Sequence, residues 1–182
     1  MTSSHQPGDS FPLGTTTVTY YAEDAAKNLA VASFDITVGG IGLWRQETFG
    51  AQKDNPEIAG DLANPDGDRW PNIAEYVFGT DPLAIDGRHL TSITTKGAEL
   101  MFDFTHVDQV PDVALVVERC TSPREPWTAV AVRMPSGAWV PMVPGVDLAS
   151  SQEGEYREVR LTKPTGGAHE LIRLTMRMAT VE

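Results

Sequence analysis

Short bursts of apolar and polar alternation run along most of the chain, and helical periodicity is confined to its middle. Val18 and Tyr20 share one face of an extended run over 15–21, and Phe34, Ile36 and Val38 share one face of a second over 31–38. The intervening Glu23-Asp24-Ala25-Ala26-Lys27-Asn28 is turn-forming, so the pattern predicts an antiparallel hairpin. A helix through 22–32 is the competing reading, but it would be short and poorly amphipathic. A lone hairpin is marginal in water, so this one needs something to pack on. After residue 87 the pattern predicts strands at 90–94, 99–105, 113–120, 127–133, 139–143, 156–162 and 171–178. The clearest alternation lies at Leu100, Phe102 and Phe104 and at Ile172, Leu174 and Met176. Seven short strands separated by Gly and Pro turns predict a β-sandwich.

Between these β-rich stretches the period changes. Gly39-Gly40 reads as a flexible joint, and 43–49 reads as a short helix ended by Gly50. Residues 51–69 are polar and turn-forming. Pro71 suits the first turn of a second helix, where a missing N–H costs nothing. Ile73, Tyr76 and Val77 fall at i, i+3 and i+4, and Gly79 and Pro82 end the pattern. The expected organisation is therefore a hairpin segment at 1–38, a helix–loop–helix linker at 39–87 and a sandwich at 88–182. The predicted class is mainly β.

Charge sharpens the interest in the middle segment. The chain of 182 residues carries a net charge of −11, and residues 47–86 hold nine acids against only Lys53 and Arg69. A solvated acidic loop is the ordinary meaning of such a run. Clustered carboxylates also repel one another unless a cation offsets them, which makes a cation site the sharper reading. The overall acidity argues against a nucleic-acid partner, which would need a basic face. No run of 18 apolar residues is present, so no transmembrane helix is expected, and the first ten residues lack the pattern of a signal peptide. One cysteine excludes an internal disulfide framework.

The twelve residues 64–75, Asn-Pro-Asp-Gly-Asp-Arg-Trp-Pro-Asn-Ile-Ala-Glu, carry the chemistry. Laid on an EF-hand loop, side-chain oxygens fall at position 1 (Asn64), 3 (Asp66), 5 (Asp68), 9 (Asn72) and 12 (Glu75), with the Trp70 carbonyl at position 7. Alternate residues of a tight loop point inward, and a Glu at position 12 returns from the first helical turn to close an oxygen shell around Ca²⁺. Two positions depart from that pattern. Asn64 replaces an acid, and Arg69 stands where the loop has Gly, with Gly67 two residues earlier. Asp61 and Asp81 flank the loop as additional oxygen sources. The competing reading is an Asp-Gly turn that caps a helix without metal.

Two resemblances extend this reading. Phe11-Pro-Leu-Gly-Thr-Thr-Thr-Val-Thr-Tyr, Ala22-Glu-Asp-Ala-Ala-Lys-Asn and Ser33-Phe-Asp-Ile-Thr-Val resemble the end of a hyalin repeat (HYR) domain. The resemblance implies an immunoglobulin-like sandwich of extracellular adhesion proteins, of which about the last third would be present, so a longer N-terminal part is expected. The family often carries a cysteine just before its last strand, where this chain has Ala32 or Ser33. The stretch from Trp44 to Leu83 is similar to calcium-loop segments near the C-termini of large secreted bacterial proteins, and to single thrombospondin type 3 and dockerin-like loops. That similarity implies Ca²⁺ at Asp66, Asp68, Asn72 and Glu75.

Other conspicuous residues carry less. His5, His89, His106 and His169 are far apart, with no spacing that suits zinc or catalysis. Neighbouring acids at Glu23 and Asp24, or at Glu153 and Glu155, are expected to be solvated. No nucleophile-elbow, P-loop or dinucleotide motif is present. Cys120 is expected to behave as a small buried hydrophobe. Trp127 and Trp139 read as core residues, with a sugar-stacking platform as the alternative. The sequence therefore points to a non-catalytic, secreted or cell-surface adhesion or spacer module with a calcium-stabilised linker. Its partners would be an extracellular protein or glycan. The rival is a carbohydrate-binding accessory module of a secreted hydrolase.

Overall fold

The structure, a computed structural model, describes residues 1–9, 11, 14–86, 90–108, 110–135, 137–154, 156–164 and 170–179. His89 and His169 lie outside them. The protein is mainly β, with three antiparallel sheets and two α-helices among the described residues.

The predicted hairpin forms from β2 (Gly14–Glu23) and β3 (Leu29–Val38), with the two-residue strand β1 (Thr2–Ser3) added at the β2 edge. Val18 pairs with Phe34 and Thr16 with Ile36, so the apolar positions read from the sequence share one face. Asp24 builds the turn. Its Oδ1 accepts from the backbone N–H of Ala26 at 2.8 Å and of Asn28 at 2.9 Å, while Lys27 takes a positive φ of 69°. The hairpin has little core of its own. Val18 is its only buried apolar residue among those described, and Leu29, Val31 and Phe34 are exposed.

Two four-stranded sheets form the sandwich. One has the order β4 (Thr91–Lys96), β5 (Glu99–Val107), β10 (Tyr156–Pro164) and β9 (Asp147–Glu153). The other has the order β11 (Leu171–Met178), β6 (Val113–Cys120), β7 (Thr128–Arg133) and β8 (Trp139–Pro141). Leu100, Phe102, Phe104, Val159 and Leu161 of the first sheet meet Val117, Val130 and Ala131 of the second in one core cluster. The seven predicted strands are all present. The alternation does not mark the eighth, β9, because Asp-Leu-Ala-Ser-Ser-Gln-Glu is largely polar and lies at a sheet edge. Cys120 is buried, as expected for a small hydrophobe.

The middle segment packs against the end of this sandwich. Helix α1 (Ile41–Phe49) and helix α2 (Asn72–Phe78) place Ile41, Ile73, Tyr76, Val77 and Phe78 in a second cluster with Val110, Val113 and Leu115. Asp112, at the entry to β6, joins both helices to the sandwich. Its Oδ2 accepts from the Ile41 N–H at 2.6 Å and its Oδ1 from the Tyr76 hydroxyl at 2.9 Å. All seven residues of α2 are buried. That burial draws Asn72 and Glu75 out of water.

Candidate metal centre

The loop between the helices is shaped by its own side chains. Gly67 takes a φ of 75°, a conformation that other residues rarely adopt, and so turns the chain between Asp66 and Asp68. Asn64 braces that turn. Its Oδ1 accepts from the Gly67 N–H at 2.9 Å and its Nδ2 donates to the Asp68 carbonyl at 2.8 Å. One oxygen of each aspartate serves the same purpose: Asp66 Oδ1 accepts from the Asp68 N–H at 3.1 Å, and Asp68 Oδ1 from the Trp70 N–H at 2.5 Å. Trp70 packs edge-on against Phe78 of α2, ring centroids 5.4 Å apart.

These bonds leave a set of acceptors unused. Asp66 Oδ2, Asp68 Oδ2, Asn72 Oδ1 and both Glu75 oxygens are buried and have no hydrogen-bond partner among the described residues. Carboxylate oxygens of Asp66, Asp68 and Glu75 lie within 4.8 Å of one another. Asn72 is held by its amide nitrogen, which donates to the carbonyls of Ile58 at 2.8 Å and Gly60 at 2.9 Å. That anchoring fixes the side chain and leaves its oxygen free. Glu75 is only 1% exposed. Burial, then Asp66 and Asp68, push its carboxyl up to about 7, with Asp86 and Asp81 adding to the repulsion. A buried acceptor without a donor costs free energy, and three mutually repelling carboxylates cost more.

Of the residues singled out from the spacing, the structure brings Asp66, Asp68 and Glu75 together and leaves the Asn72 oxygen unpartnered beside Glu75's helix turn. Asn64 is exposed and engaged within the loop itself, and Trp70 contributes packing and a backbone donor. Asp61 is committed elsewhere, in an ion pair with Arg45 of α1. Sequence reasoning missed Thr80, whose hydroxyl is also buried without a partner just beyond α2. Nothing in its surrounding sequence marks it.

His106 and the two tryptophans Trp127 and Trp139 make packing and hydrogen-bond contacts in the sandwich. His106 is fully buried; its Nδ1 donates to the Val107 carbonyl at 2.7 Å and its Nε2 accepts from the Trp139 indole at 3.2 Å. Trp139 also meets Phe104 edge-on at 5.3 Å, and the Arg173 guanidinium lies 4.1 Å over the Trp127 ring.

Comparison with known families adds one match. Residues 1–38 match the HYR domain. The N-terminal segment is thus HYR-like, similar to a family of generally extracellular, non-catalytic adhesion-type modules. The match spans β1, β2 and β3 of the HYR-like sheet and stops before α1. No curated protein matches the chain. No helix among the described residues is long and apolar enough to cross a membrane.

Proposed function

We propose that this chain is a non-catalytic extracellular spacer or adhesion module. Its segment 39–87 binds Ca²⁺ and thereby stiffens the join between the HYR-like segment 1–38 and the β-sandwich 88–182. The observation that carries the metal reading is the set of five buried oxygens, on Asp66, Asp68, Asn72 and Glu75, that no donor among the described residues satisfies. The donor set is all oxygen and holds three carboxylates, which suits a hard divalent cation. Ca²⁺ is favoured over Mg²⁺ because it accepts more oxygens and a looser geometry. A cation here would neutralise the repulsion that raises Glu75.

The extracellular setting is supported by the HYR match. The mechanical role is supported by Asp112, which joins α1 and α2 to β6 and so couples the loop to the sandwich. Limited proteolysis tests this reading. Ca²⁺ at about 10 mM, tens of times the dissociation constant of a weak extracellular site, should slow cleavage within 51–70 in the parent. The same Ca²⁺ should have no effect on Glu75→Gln. Equal cleavage with and without Ca²⁺ in the parent would contradict the proposal.

A further inference from the structure

The inward faces of the sandwich are apolar along most of their length, and charged residues interrupt them towards the ends. On β10 the inward positions run Leu161, Val159, Arg157, with Arg157 paired to His106. On β7 the inward Arg133 lies opposite Leu115 of β6. Two guanidiniums from opposing sheets therefore approach the same gap. With Asp108, Trp139 and Ser150 they line a cavity of about 270 Å³ where edge strands β8 and β9 meet.

The charges in this cavity are not balanced. Among the described residues Asp108 is the one acid lining it, and its Oδ1 accepts from Arg157 Nε at 2.7 Å. Arg133 is 3% exposed and donates from Nη2 to the Asp108 backbone carbonyl at 2.7 Å. Its Nη1 is buried and has no partner, and it forms no ion pair among the described residues. Burial presses the Arg133 pKa downward; the Asp108 carboxylate opposes that, and the neighbouring Arg157 charge adds to it in smaller measure. A guanidinium nevertheless remains charged in proteins. Buried Lys163, at the other end of the inward face of β10, shows the contrast: Glu170 neutralises it at 2.6 Å. A core guanidinium beside an open cavity, sharing its nearest carboxylate with a second arginine, departs from what stability alone would select.

We propose that this cavity is a binding site for the carboxylate of an acidic sugar residue. The free Arg133 donor would pair with the carboxylate, and the Ser150 hydroxyl and the Trp139 ring would meet the sugar. The volume suits one monosaccharide unit, and the excess positive charge stands out on a chain of net charge −11.

The test is an NMR titration of the full chain with sodium D-glucuronate, read at the Trp139 indole N–H, with glucose and N-acetylglycine as comparison ligands. Glucuronate should bind with a Kd on the order of 10⁻³ M, the strength of one charge-assisted contact in a small pocket. N-acetylglycine should bind about tenfold more weakly, and glucose should leave the resonance unmoved. Arg133→Met should weaken glucuronate at least tenfold. Ser150→Tyr, at an exposed position that pairs with inward-facing Val159, should fill the cavity and do the same without touching the charge. No shift with glucuronate up to about 50 mM, tens of times the expected Kd, would overturn the proposal. So would binding that survives both substitutions in folded protein, or N-acetylglycine binding as tightly as glucuronate.

Discussion

Glu75 and His106 are both buried titratable groups, and acid moves the stability of the metal-free protein in opposite directions through them. The His106 ring is neutral between the Val107 carbonyl and the Trp139 indole, and burial pushes its pKa down to about 4. Its unfolded value of about 6.5 is higher, so the unfolded state takes up a proton first. The stability that neutral His106 confers is complete above pH of about 6.5 and is lost as pH falls towards 4, by up to about 3 kcal/mol. Glu75 works the other way, because its folded pKa of about 7 lies above its unfolded one, so protonation favours the fold. The His106 effect is therefore best read in chelator on a Glu75→Gln background. Urea unfolding there should show stability falling between pH 7 and pH 4.5, and His106→Gln should flatten that slope. An equal slope with and without His106 would show that the ring does not set it.

At the scale of elements, Asp112 and the hairpin β2–β3 mark the two extremes of attachment. Asp112→Ala leaves the Ile41 N–H and the Tyr76 hydroxyl without their acceptor in the interior. The expected loss is about 3 kcal/mol, against about 1–2 kcal/mol for Tyr76→Phe, which removes a single bond. Denaturant titrations of the two variants check both size and order. The HYR-like hairpin contributes no residue to either core cluster and exposes Leu29, Val31 and Phe34. Its amides should therefore exchange with deuterium at free energies well below those of β5 and β6. Protection equal to theirs would mean that the hairpin is held by more than its own ladder. The legibility of elements in the sequence follows the same physics. Strands with one face turned towards the core, such as β5 and β11, announce themselves through alternation. The polar edge strand β9 does not, since neighbouring backbone rather than a buried face holds it in place.

Across the whole molecule, the loop proposed to bind calcium is tied to the core of the sandwich. Its closing helix, α2, shares a core cluster with Val110, Val113 and Leu115 of the sandwich, so occupancy should act on global unfolding. The sequence made Asp66, Asp68 and Glu75 visible because an alternating loop followed by a helix fixes their spacing. It could not show that Gly67 moves the sharp turn and engages Asn64, because that depends on backbone conformation. It also hid the inward arginines, since one charged residue at a strand end looks solvated until the opposing sheet is in place. For the linker, a Kd on the order of 10⁻⁴–10⁻³ M and Ca²⁺ at about 10 mM give roughly 1.4–2.7 kcal/mol of stabilisation. That amounts to about 3–10 °C in melting temperature for a chain of this size.

The most direct test is a calorimetric titration of the metal-free chain with Ca²⁺, run in parallel on Glu75→Gln. The account predicts a single binding event in the parent and almost none in the variant. The chelated variant should melt no lower than the chelated parent, because the substitution removes a buried charge facing Asp66 and Asp68. No heat of binding up to about 10 mM Ca²⁺, or the same heat from parent and variant, would contradict it.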